Sequence, residues 1–103
     1  MDLIGDPSVD REHNTLVVRV EGELDLATAP TLWTALEQAL ADGNQLVLDL
    51  SEVTFIDSSG LSVLIRAHQV LGPTGSLTVR SPNTQARRLF ELAGIDSWIS
   101  VEP

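Results

Sequence analysis

The chain has 103 residues, with 15 acidic and six basic side chains and a formal charge of −9. Its length suits one domain around a single hydrophobic core, and an apolar content of 43% argues against disorder. Without cysteine there is no disulfide, thiolate metal site or thiol nucleophile, and the acidic balance disfavours contact with a phosphate backbone.

The first residues, Met1-Asp2-Leu3-Ile4-Gly5-Asp6, lack the basic-then-apolar order of a signal peptide. No apolar run approaches the roughly 18 residues of a membrane span. A cytoplasmic protein with no membrane insertion is therefore expected. Thr15–Val20 reads TLVVRV, in which Leu16, Val18 and Val20 alternate with Val17 and Arg19, the pattern of a strand. His13-Asn14 makes a turn pairing it with a short strand near Ser8–Asp10. Gly22 is expected to interrupt the β pattern.

Thr28 suits an N-cap and Pro30 the first helical turn. Leu32, Leu36, Ala39 and Leu40 then share one helical face, flanked by Trp33, which either packs at the core edge or serves a partner. Gly43 ends this helix. Leu46–Leu50 is a nearly unbroken apolar run, as expected of a central parallel strand buried on both faces. Ser51–Ile56 reads as the connection to a helix opened by Asp57-Ser58-Ser59-Gly60. Leu77–Arg80 is a further strand, and Ser81-Pro82 is expected to cap and start a helix carrying Ala86, Leu89, Phe90 and Ala93 on one face. Gly94-Ile95 matches a Schellman stop, and Trp98–Val101 is expected to be the last strand. The βα alternation implies a largely parallel sheet with right-handed crossovers.

The helix after Asp57 is the most informative element. Stepping 100° per residue from Leu61 puts Ser62, Arg66 and Gln69 at about 100°, 140° and 80°, a narrow polar arc. The rest is apolar save His68, so the wide apolar arc is either covered by neighbouring helices or partly reserved for a partner. Ser58 falls at about 60°, beside the polar arc, and its hydroxyl should be exposed. Free backbone N–H groups and the helix dipole at this position would favour a phosphoryl group. Equally, Asp57, Ser58 or Ser59 could simply cap the helix. The net charge also breaks here. Residues 1–57 hold twelve acids against Arg11 and Arg19, whereas residues 58–103 hold three acids against four arginines.

Catalysis by a Ser-His-Asp set is not supported. Ser58 and His68 lie about 15 Å apart along one helix, His13 is the only other histidine, and no nucleophile elbow surrounds a serine. The two isolated histidines also make a poor metal site. No phosphate-cradling glycine loop is present, so the chain does not read as a nucleotide enzyme, and no enzyme activity or cofactor is expected.

Gly22-Glu23-Leu24-Asp25, Thr28-Ala29-Pro30, the Leu46–Leu50 strand and Phe55-Ile56-Asp57-Ser58-Ser59-Gly60-Leu61 together resemble the STAS domain of bacterial anti-sigma factor antagonists. Ser81-Pro82, Arg87-Arg88-Leu89-Phe90 and Gly94-Ile95 are similar to that family's third-helix region. The resemblance runs over roughly residues 8–102. It implies a single STAS domain over 1–103 of the α/β class. The expected sheet is mixed and mostly parallel, with four to five strands and about three to four helices in the order β-β-α-β-α-β-α-β.

The resemblance also implies a partner switch in transcription regulation, in stress response or sporulation. The unphosphorylated chain would bind an anti-sigma factor serine kinase and release a sigma factor. Phosphorylation of Ser58 would end that binding, and a serine phosphatase would restore it. Ser59 is the second acceptor candidate. Asp57 would position the helix start, and Glu23, Asp25, Asp57, Ser59, Gly60, Ser62 and Arg66 would form the partner surface of a monomer. Other STAS domains regulate lipid or anion transport complexes or act as scaffolds in signalling assemblies, which is the alternative reading.

Overall fold

A computed structural model describes residues 7–103; the segment read above for a signal peptide lies outside them. The elements run β1 (Ser8–Glu12), β2 (Thr15–Leu24), α1 (Ala29–Asp42), β3 (Gln45–Ile56), α2 (Ser58–Leu71), β4 (Ser76–Arg80), α3 (Thr84–Ala93), a 3₁₀ turn (Ile95–Ser97) and β5 (Ser100–Glu102). The five strands lie in sequence order in one sheet. β1 is antiparallel to β2 through the His13-Asn14 turn, and each later neighbour pairs in parallel. This is the expected α/β order with a mixed sheet.

Alternation along the strands sorts the two sheet faces. Leu16, Val18, Val20, Leu46, Leu48, Leu50, Leu77 and Val79 join one core with the buried faces of the three helices. Leu32, Leu36 and Ala39 come from α1, Leu61, Leu64 and Ala67 from α2, and Ala86 and Phe90 from α3. The opposite face carries polar groups. Arg19 pairs there with Asp10, with Glu12 at 3.2 Å and with Asp49 at 3.5 Å, which ties β1 through β2 to β3. Val17 and Val47 are buried there as well, but the three helices all join the core on the other face, and beside Val47 the strand leaves Gln45 exposed and Asp49 half-buried, so burial on both faces holds only in part. Among the described residues no helix is long and apolar enough to cross a membrane.

Four local expectations are corrected. Gly22 does not end its strand: at φ 96° it sits among register shifts, and β2 continues to Leu24. A bulge re-aims a strand without breaking it. Ser51–Ile56 is not a connection but the second half of β3, paired with β2 as far as Leu24↔Ile56. Its buried residues, Val53 and Ile56, are three apart because of those shifts, and this hid the period of two. α3 starts at Thr84, capped by Asn83, whose side chain accepts the Ala86 N–H at 2.9 Å. Ser81, at φ 55°, lies outside it. Trp98 precedes the last strand and stacks on His68 of α2, with ring centroids 4.2 Å apart.

Candidate functional site

The parallel strands β2 and β3 end side by side, and each feeds a helix. Their C-terminal ends, the loop to α1 and the start of α2 therefore converge. After β2, Asp25 closes the loop: its Oδ1 accepts the N–H of Ala27 at 3.0 Å and that of Thr28 at 3.1 Å. Thr28 was expected to cap α1, yet it makes no such bond. Its fully buried hydroxyl donates to the Glu23 carbonyl at 2.7 Å and accepts the Asp25 N–H at 2.9 Å. Thr28 fastens the loop to the strand, and Asp25 takes over the capping of the turn. Asp25, expected on the partner surface, thus has one carboxylate oxygen committed internally; Glu23 beside it is half-buried.

After β3, the Asp57 N–H donates to the Leu24 carbonyl at 3.0 Å, which locks the start of α2 to the end of β2. Asp57 Oδ1 then accepts the N–H of Ser59 at 2.8 Å and of Gly60 at 3.3 Å. Asp57 is therefore the N-cap, one of the three candidates. This amends the idea that those amides stand free for a phosphoryl group: a carboxylate already occupies two of them. Ser58, the first helical residue, is exposed. Its carbonyl accepts from the Ser62 hydroxyl at 2.9 Å. Gly60, expected on the partner surface, is buried against Leu24 and Ile56 and packs the helix onto the strands instead.

Ser58, Ser62 and Arg66 follow one another at four-residue intervals, so they line one edge of α2 over about 12 Å. Ser62 and Arg66, with Ser59 and Val63, line a groove whose other residues are Leu26, Ala29, Pro30, Trp33 and Thr34. Arg66 lies over the Trp33 ring, 4.1 Å from its centroid, and bridges the two helices. α1 thus covers much of the broad apolar arc of α2. Beyond the groove, Val70 is left exposed.

Two apolar side chains near Ser58 escaped sequence reasoning. Leu26, 79% exposed, lines the groove, and Phe55, 41% exposed, lies where β3 pairs with Glu23 of β2. A leucine between Asp25 and Ala27 in a polar loop was the available signal; Phe55 was masked by reading its segment as a connection. The assembled surface is an exposed hydroxyl among apolar side chains and carboxylates. Among the described residues no three His, Cys, Asp or Glu side chains gather to hold a metal ion.

The family model described as "Mlab, STAS domain" matches residues 8–101. The chain is 36% identical over 87 residues to the anti-sigma-F factor antagonist RsfB of Mycobacterium tuberculosis, covering 82% of this chain and 71% of that one. It is 34% identical over 95 residues to the anti-sigma-B factor antagonist of Listeria monocytogenes, covering 90% and 83%. The crystal structure of an anti-sigma factor antagonist from Mycobacterium paratuberculosis superposes with a TM-score of 0.90 at 35% identity, covering 97% of this chain and 86% of the other. Each of these relatives is named as an antagonist of an anti-sigma factor. With the family model spanning nearly every described residue, the chain belongs to the STAS domain family, in the group of bacterial anti-sigma factor antagonists.

Proposed function

We propose that residues 1–103 act as a single, monomeric, cytoplasmic STAS domain that antagonises an anti-sigma factor, with Ser58 as the switch. The unphosphorylated form binds an anti-sigma factor that is itself a serine kinase, and so releases a sigma factor. Phosphate transfer to Ser58 ends the interaction, and a serine phosphatase reverses it. The observation that carries this reading is the exposed Ser58 at the first turn of α2, next in sequence to Ser59, which lines a groove with Leu26, Pro30, Trp33 and Arg66. The names of the relatives support the partner class.

The switch needs no change of fold. Phosphoserine adds about −1.5 to −2 charges at neutral pH. Two charges about 6 Å from a partner carboxylate, at an effective dielectric of 20, repel by at most about 5 kcal/mol, and half of that weakens binding about a hundredfold. The neighbouring Asp57 carboxylate contributes in the same sense. The test is incubation of the protein with ATP and each anti-sigma factor kinase of its source organism, followed by mass spectrometry. Phosphate on Ser58 with loss of complex supports the proposal. Capture of a transport ATPase in place of a sigma-factor kinase overturns it in favour of a role in a transport assembly.

A further inference from the structure

The geometry points to Gln85, on α3, as the positioning residue for Ser58. The outer edge of β3 poses the problem that Gln85 solves. β4 pairs with β3 only from Gln45↔Ser76 to Asp49↔Arg80. Beyond Asp49 the β4 side of β3 has lost its strand partner, although the backbone groups there still need hydrogen bonds. The first turn of α3 supplies them from side chains. Asn83 Nδ2 donates to the carbonyls of Thr54 at 3.1 Å and Val53 at 3.3 Å. Gln85 Oε1 accepts the Ile56 N–H at 3.0 Å, while its Nε2 donates to the Ile56 carbonyl at 2.7 Å. One carboxamide thus stands in for a neighbouring strand at the last residue of β3.

The place of this clamp gives it a function. The next residue, Asp57, is tied on its other side to the Leu24 carbonyl, and it caps the helix that presents Ser58. The junction is gripped from both sides, by β2 and by α3. Gln85 is itself exposed overall, so neither charge nor core packing explains its two short bonds. Phosphate transfer needs the acceptor hydroxyl held in line, and small misplacements of a reacting group slow such steps steeply. Gln85 acts through Ile56 and Asp57 without touching the kinase or ATP. The inference rests on the reading of Ser58 as acceptor.

Gln85→Met keeps the length and bulk but removes both bonds; Gln85→Glu keeps an acceptor for the Ile56 N–H and loses the donor. In Gln85→Met, amide exchange at Ile56 should rise about tenfold while exchange at Val18, in the core of β2, stays at its parent value. The rate of Ser58 phosphorylation at saturating anti-sigma factor kinase should fall about tenfold, with kinase affinity kept. Gln85→Glu should fall between the two. Unchanged exchange at Ile56, an equal rise at Val18, or an unchanged transfer rate overturns the inference. Absence of phosphate on Ser58 in the parent protein overturns the acceptor reading instead, and the exchange measurement then decides the clamp by itself.

Discussion

Gly60 lies so close to Leu24 that a Cβ at position 60 would stand 2.9 Å from Leu24 Cβ and 3.0 Å from the Leu24 carbonyl oxygen. It would also meet Ile56 Cγ1 at 2.8 Å. The first turn of α2 is therefore seated directly on the ends of β2 and β3, and only glycine permits that approach. Gly60→Ala should destabilise the protein by about 1–3 kcal/mol through overpacking. Urea unfolding would show a lower midpoint with an unchanged slope. An unchanged midpoint would mean that the helix start has room to move.

The proposed role of Ser58 makes a charge-graded prediction. Ser58→Ala should keep the anti-sigma factor bound, because the side chain is exposed and the cap belongs to Asp57. Ser58→Asp introduces one charge and should weaken the complex about tenfold, with the true phosphoform weaker still. Isothermal titration of the three forms against the kinase is the measurement. Equal affinities for native and phosphorylated protein would remove the switch from Ser58.

Leu26 separates binding from folding. Its side chain is 79% exposed, so Leu26→Ser should leave stability within about 0.5 kcal/mol. The same substitution removes an apolar side chain from the groove lined by Ser59 and, on the proposed reading, should weaken kinase binding about tenfold. Thermal unfolding and titration on the same sample distinguish the two effects. A parallel loss of both would make Leu26 a folding residue.

The acidic half of the chain predicts salt dependence. Glu23, Asp25 and Asp57 lie at the strand ends, so if the partner's charge is basic overall apart from the carboxylate facing Ser58, steering toward it should weaken as ionic strength rises. Titrations at low and high salt should show falling affinity, carried mainly by slower association. An affinity indifferent to salt would detach the net charge from recognition.

The sequence disclosed the main elements wherever burial follows a regular period. Leu16–Val18–Val20 and Leu32–Leu36–Ala39 each point at one core, and both are buried as their spacing implied. It misled where tertiary geometry breaks the period. The bulges near Gly22 spread the buried residues of β3 to Val53 and Ile56, which disguised half of a 12-residue strand as a loop. Ser81 was read as the cap of α3, but Asn83 holds it, with its side chain also bonded to the carbonyls of β3. At the site, Ser58 and its cap were legible because Asp-Ser-Ser-Gly is a local signal. The partners Leu26, Phe55 and Gln85 were not, because each gains its place from chain segments about thirty residues away.

The Asp57 cap has one more consequence. Because its carboxylate already fills the Ser59 and Gly60 amides, an anion placed on Ser58 would not find those two donors free. A mark placed there, as proposed, would be legible from outside: a kinase and a phosphatase would meet the same exposed side chain, and neither would have to open the fold to do so.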